Sequence, residues 1–206
     1  MIVETLIALA LSYLAGSIPT GLWLGLWLKK VDIREHGSKN IGATNTLRVL
    51  GKGLGAAALV GDALKGAIPV LVFARLSDWP YAPLACGVAA IIGHLLPLYI
   101  KFKGGKGVAT SAGVFLALCP IPTLVAVAVF VATVLLTRMA SAASILAALA
   151  MTVVVYATPH DLATAPGHLL PPDYTLRIVV TVVAVLIVYR HRSNIQRILK
   201  GQENKI

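Results

Sequence analysis

Six apolar runs separated by short polar connections leave this chain one class of fold. The runs cover residues 3–28, 53–76, 81–100, 108–136, 140–158 and 175–189. A helix needs about 20 apolar residues to cross a hydrocarbon core about 30 Å thick, and only helices or closed barrels satisfy their own backbone there. Charged residues make up only 13% of the chain and hydrophobic ones 58%, whereas a soluble domain carries about a quarter charged residues. The reading is an all-α polytopic membrane protein, one membrane domain over residues 1–206. The opening MIVETLIALALSYLAGS holds Glu4 and no Lys or Arg ahead of its apolar run. It therefore reads as the first transmembrane helix rather than a cleaved signal, with Pro19 as a kink. Cys86 and Cys119 lie in apolar stretches away from any CxxC, which implies neither a disulfide nor a metal site.

The segment Val108–Leu136 is 29 residues long. It would make a helix of about 44 Å, too long for one upright span and short for two. Its middle, LCPIP, contains Pro120 and Pro122, which break a continuous helix. Basic residues in short loops face the cytoplasm. If the segment is a hairpin of two short helices, seven spans result, with the N-terminus outside. Then 15 of the 18 Lys and Arg residues face the cytoplasm, from loops 29–52, 101–107 and 137–140 and the tail 190–206. A single crossing gives six spans and puts Arg138 and the basic tail outside. Seven is the preferred count and six the alternative.

Three polar stretches share that basic face. HGSKNIGATNTLRVLG, residues 36–51, sets Gly37 and Gly42 among Ser38, Asn40, Thr44 and Asn45 and ends with Arg48. Such a loop can turn backbone N–H groups and side-chain donors toward an anion, or simply cap two helices. GHLLPLYIKFKGGKGVATSAG, residues 93–113, places Gly104, Gly105 and Lys106 ahead of a helix and His94 at the same face. That pattern suits a phosphate, although a tight turn with interfacial lysines has the same composition. YRHRSNIQRILKGQENKI, residues 189–206, adds His191, Asn194 and Glu203. Its composition alone is that of a basic cytoplasmic tail. Asp62 and Lys65, three apart in the second apolar run, read as an intramembrane ion pair. Ser141 and Ser144 follow Arg138 and line the same mouth or a helix contact.

The pentapeptide GHLLP occurs twice, at 93–97 and 167–171. In the second copy His168 and Asp173 match the HxxxxD spacing of another class of glycerolipid acyltransferases, but two prolines fill the spacer and the loop is predicted external. That match is treated as chance. The first copy stands beside FKGGKG.

The three stretches, in order, resemble the bacterial membrane-embedded acyl-phosphate:glycerol-3-phosphate acyltransferase family. The resemblance rests on HGSKNIGATNTLR, GHLLPLYIKFKGGKGVAT and HRSNIQRILKGQE, with SIPTG (17–21), GDALKGAIPV (61–70) and TRMAS (137–141) in support. Lys39 stands where the family usually has Gly, and Leu96 where it often has an aromatic residue. The resemblance implies transfer of a fatty acyl group from acyl phosphate to the 1-hydroxyl of sn-glycerol 3-phosphate, giving lysophosphatidic acid and phosphate. It implies no cofactor or metal, no nucleic acid, a bacterial inner-membrane location, lipids as surroundings, and a peripheral phosphate acyltransferase as donor source. On that reading Lys106 with Gly104 and Gly105 holds glycerol phosphate, and Ser38, Asn45 and Arg48 hold the acyl phosphate or stabilise the oxyanion. Asn40 and Thr44 add donors, Ser141, His191 and Asn194 complete the phosphate cage, and Glu203 is a further substrate-binding residue. His94, or a substrate phosphate, accepts the hydroxyl proton. An organophosphate transporter is the rival class, but the polar groups gather on one face instead of crossing the bilayer.

Overall fold

A computed structural model of the chain describes residues 1–159 and 174–206. Every regular element among them is helical. The chain divides into two compact units, Met1–Ala117 and Leu118–Ile206.

The first unit opens with α1 (Ile2–Gly16). Pro19 lacks the N–H that would continue α1, and the chain restarts as α2 (Thr20–Leu24) and a π-helical turn, Gly25–Lys29, at an angle of 46° to α1. The kink expected at Pro19 is where the sequence puts it. After a loop come α3 (Ala43–Leu50), α4 (Lys52–Leu71) with a 3-10 turn at Phe73–Leu76, and α5 (Ala82–Leu95) with a 3-10 turn at Leu98–Ile100. The unit closes on α6 (Val108–Leu118).

Small residues let these helices touch backbone to backbone, the packing that works where lipid removes the hydrophobic drive between helices. On the α1–α5 seam, a Cβ on Gly16 would strike the carbonyl of Ala90, and one on Gly93 the carbonyl of Tyr13. Tyr13 also donates its hydroxyl to the Leu96 carbonyl at 2.8 Å, fixing the end of α5 against α1. On α4, Lys65 Nζ lies 2.7 Å from Asp62 Oδ1 and donates to the Ile18 carbonyl at 2.6 Å. The expected ion pair therefore also clamps the break in the first span, where the chain has a carbonyl outside the helical ladder.

The second unit contains α7 (Pro120–Thr137), α8 (Ala140–Ala157), α9 (Thr175–Arg190) and α10 (Arg192–Leu199), the last two meeting at 56°. Val108–Leu136 does break at Cys119, beside the prolines. It gives an 11-residue and an 18-residue helix, about 16 and 27 Å long. Only the second has the length to cross alone. Among the described residues four helices are long and apolar enough to cross a membrane, or up to six if each bent pair is one span. The second GHLLP, with His168 and Asp173, lies outside the described residues.

Candidate active site

The loop between the π-helical turn and α3 is folded around one side chain, Asn45. Asn45 is 1% exposed. Its amide nitrogen donates to the carbonyls of Ile33, Asn40 and His36 at 2.8, 2.9 and 3.2 Å, and its oxygen accepts the Ser38 N–H at 2.8 Å. An amide has two N–H donors, so nothing is left to offer an anion. In this arrangement Asn45 holds the loop that carries Ser38. Asn40 turns inward too, accepting the Gly42 N–H at 2.9 Å, and Gly42 caps α3. Thr44 and Arg48, both half-buried, sit on α3 one turn apart, Arg48 three residues beyond Asn45. Lys39 has φ of 56°, a left-handed conformation that favours glycine, the residue the resemblance leads one to expect there. Beside the loop, Asp32 pairs with Arg34 at 2.6 Å. The hydrogen-bonded guanidinium holds the Asp32 carboxyl below its ordinary range.

The second stretch folds back on the end of α5. Pro97 accepts the Phe102 N–H at 2.9 Å and His94 accepts the Gly105 N–H through its carbonyl at 3.2 Å. Gly104 lies against the His94 and Leu95 carbonyls, and Gly105 against the His94 ring, so closely that neither position has room for a Cβ. His94 is 3% exposed. The glycine-rich loop is thus seated on a buried imidazole, and Gly107, with φ of 83°, turns the chain from Lys106 into α6. This brings His94, Gly104 and Gly105 into contact and sets Lys106 directly after them.

In the second unit the tail returns to the start of α8. Glu203 Oε1 accepts the Asn194 amide at 2.7 Å and the Ser141 hydroxyl at 3.0 Å, and Oε2 accepts Arg197 Nε at 2.9 Å. Burial pushes the Glu203 carboxyl up, but the hydrogen bonds from Asn194, Ser141 and Arg197 outweigh it and the pKa settles below the ordinary value. An ionised carboxylate offers no donor to a phosphate; here Glu203 draws Ser141, Asn194 and Arg197 together. His191, 2% exposed, points Nδ1 at the Ile187 carbonyl at 2.8 Å. Because that partner only accepts, Nδ1 carries the proton. Arg138 and Ile206 add two further bonds, Nε to carbonyl and N–H to carbonyl, both at 2.9 Å. Asn45 and Glu203 as hubs were missed from sequence. The clue is that each is a short polar side chain amid several backbone or donor partners that only the folded loop brings close.

The matches to known proteins span nearly the whole chain. The family profile described as glycerol-3-phosphate acyltransferase matches residues 6–201. The glycerol-3-phosphate acyltransferase of Syntrophotalea carbinolica is 46% identical over 200 residues, covering 97% of this chain and 96% of that one. That of Fusobacterium nucleatum is 42% identical over 197 residues, covering 96% and 95%. The crystal structure of PlsY (YgiH), an integral membrane glycerol 3-phosphate acyltransferase in its glycerol 3-phosphate form, superposes with a TM-score of 0.85 at 36% identity. It covers 98% of this chain and 95% of that one. The same protein in a lysophosphatidic acid form gives 0.82 at 35% identity.

Proposed function

The chain belongs to the glycerol-3-phosphate acyltransferase family, a family of integral membrane acyltransferases, and on that premise we propose that it acylates the 1-hydroxyl of sn-glycerol 3-phosphate from acyl phosphate. The products are 1-acyl-glycerol 3-phosphate, that is lysophosphatidic acid, and inorganic phosphate. The observation that carries the reading is the loop of Gly104 and Gly105 pressed onto His94 with Lys106 following, the kind of close backbone approach a phosphate cradle uses. The relative solved with glycerol 3-phosphate and with lysophosphatidic acid supports the acceptor and the product. The donor rests on the sequence resemblance.

In this mechanism Lys106, placed by the glycine loop seated on His94, holds glycerol 3-phosphate. Its 1-hydroxyl oxygen attacks the acyl carbonyl carbon, and the developing oxyanion is met by Arg48 and the Ser38 hydroxyl. The carbon–oxygen bond to phosphate then breaks and inorganic phosphate leaves with the bonding pair. The hydroxyl proton passes to a substrate phosphate oxygen, whose second pKa is about 6. His94 acts as a positioning residue: its burial under Gly105 suits holding the loop better than shuttling protons. In the second unit, His191 and Asn194 carry phosphate-directed roles, and Ser141, whose one O–H is donated to Glu203, helps that carboxylate organise the tail. Asn40, Thr44 and Asn45 shape the loop and the start of α3.

The same proposal places the protein in the bacterial inner membrane with seven crossings, the N-terminus outside and the basic loops in the cytoplasm; the 11-residue α6 is too short to make its crossing alone and needs the extended chain ahead of it to complete the passage. A peripheral phosphate acyltransferase would supply the donor. Donor choice is the test. Purified protein in detergent is given labelled glycerol 3-phosphate with palmitoyl phosphate, palmitoyl-CoA or palmitoyl carrier protein. Lysophosphatidic acid forms from the acyl phosphate; comparable rates from either thioester would overturn the donor assignment.

A further inference from the structure

Two chain segments far apart in sequence build a single aromatic surface in the first unit. Trp23 and Trp27, one helical turn apart, stack with ring centroids 4.9 Å apart and planes at 24°. Tyr99, from the turn after α5, joins Trp23 at 5.6 Å. The register between the segments is fixed from beneath, because Ile100 packs with Leu26 against the buried cluster of Leu22, Ile33 and Ile41. The outer face is open: Trp27 is 64% exposed, Tyr99 46% and Phe102 55%.

Lysines follow these aromatics at once in both segments. Lys29 and Lys30 succeed Trp27, and Lys101 and Lys103 bracket Phe102. The backbone ends both helices abruptly, with φ of 57° at Lys30, 55° at Lys101 and 61° at Phe102. Such left-handed conformations cost energy in residues with a side chain, and persist where the surroundings impose them. No Asp or Glu occurs between Ser17 and Val31 or between Trp79 and Arg138. Asp32, the first carboxylate beyond, is held by Arg34. Among the described residues none of the four lysines forms an ion pair.

We propose that Trp23, Trp27 and Tyr99, with Lys29, Lys30, Lys101 and Lys103 around them, form a binding surface for the headgroup region of anionic phospholipids. Trp and Tyr settle where acyl chains meet headgroups, and unpaired lysines just beyond them select negative lipid. The surface borders the glycine loop, Lys103 directly preceding Gly104, but its lipid contact does not rest on the acyl-transfer chemistry. The molecule also carries its own control: Trp79 and Tyr81, at the opposite end of α5, pair at 5.7 Å with one Arg75 and one Asp78 nearby in sequence, a balanced charge.

The test uses Trp fluorescence of the full chain in phosphatidylcholine nanodiscs that contain brominated phosphatidylglycerol or brominated phosphatidylcholine at equal fractions. In a Trp79→Phe variant, which reports Trp23 and Trp27, half-quenching is expected at an about fivefold lower fraction of brominated phosphatidylglycerol. Equal quenching by the two lipids would overturn the proposal. A Trp23→Phe/Trp27→Phe variant, reporting Trp79, is expected to show no preference. An equal preference there would also overturn it, since the chain's net charge alone would then account for the effect. Replacing Lys29, Lys30, Lys101 and Lys103 by Gln is expected to remove the preference at Trp23 and Trp27, and its survival would contradict the role given to the lysines.

Discussion

Replacing Asn45 with Ala separates a residue that builds the loop from one that touches substrate. In the folded protein two amide donors serve the carbonyls of Ile33, Asn40 and His36, and the amide oxygen receives the Ser38 N–H. The variant therefore loses about three hydrogen bonds, at about 1 kcal/mol each, or about 3 kcal/mol. The carbonyls it orphans line a residue that is 1% exposed, so water does not simply replace the amide and the estimate is a lower one. For a chain of this size that corresponds to a drop in Tm of about 6–12 °C. Thermal unfolding in detergent, with limited proteolysis of residues 30–42, measures the effect, and Ser38→Ala serves as the comparison. Ser38→Ala is expected to lose activity with Tm nearly unchanged. If Asn45→Ala instead keeps its Tm and protease resistance and only raises KM, Asn45 is a substrate ligand and the reasoning fails.

Other substitutions probe the remaining contacts. Lys65→Met strands the Asp62 carboxylate at 3% exposure and is expected to cost about 3–5 kcal/mol, most of it recovered in Asp62→Leu/Lys65→Met; a double variant as unstable as the single one would contradict this. Gly105→Ala drives a methyl group into the His94 ring, an overpacking of about 1–3 kcal/mol that should appear as an about tenfold rise in KM for glycerol 3-phosphate. If His94 only seats the loop, Gly105→Ala/His94→Ala recovers much of that loss; if His94 is the base, the double variant is worse than either single one. For Glu203 the folded-state pKa lies below its ordinary value, so its stabilisation is complete above the ordinary carboxyl range and is lost as pH falls through the folded-state value. The Tm of the parent protein should therefore fall more steeply than that of Glu203→Gln below about pH 5, and parallel curves would contradict the tail contact.

Much of the architecture is legible in the residues because membrane helices announce themselves through local composition. Apolar length places the spans, Pro19 places the first bend, and Pro120 and Pro122 mark the break at Cys119. The uneven division of Val108–Leu136 was not legible, since either proline can open a helix at its first turn. The site divides in the same way. FKGGKG and the loop around Ser38 are visible as strings, yet what each polar residue does depends on contacts between distant segments. Nothing local shows that Asn45 turns its amide to three carbonyls, that Gly105 lies on His94, or that Lys65 reaches the Ile18 carbonyl. Lys39 is the intermediate case. Its replacement of an expected glycine is readable, while its φ of 56°, a conformation that favours glycine, shows only in the fold.

The central claim is direct transfer from acyl phosphate to glycerol 3-phosphate on the protein, and product stoichiometry tests it most directly. Purified protein is incubated with palmitoyl phosphate, with and without glycerol 3-phosphate, while lysophosphatidic acid and inorganic phosphate are counted. Direct transfer predicts one phosphate per lysophosphatidic acid and no phosphate burst when the acceptor is withheld. Absence of lysophosphatidic acid, or a burst of phosphate with acylated protein in the absence of glycerol 3-phosphate, would contradict it.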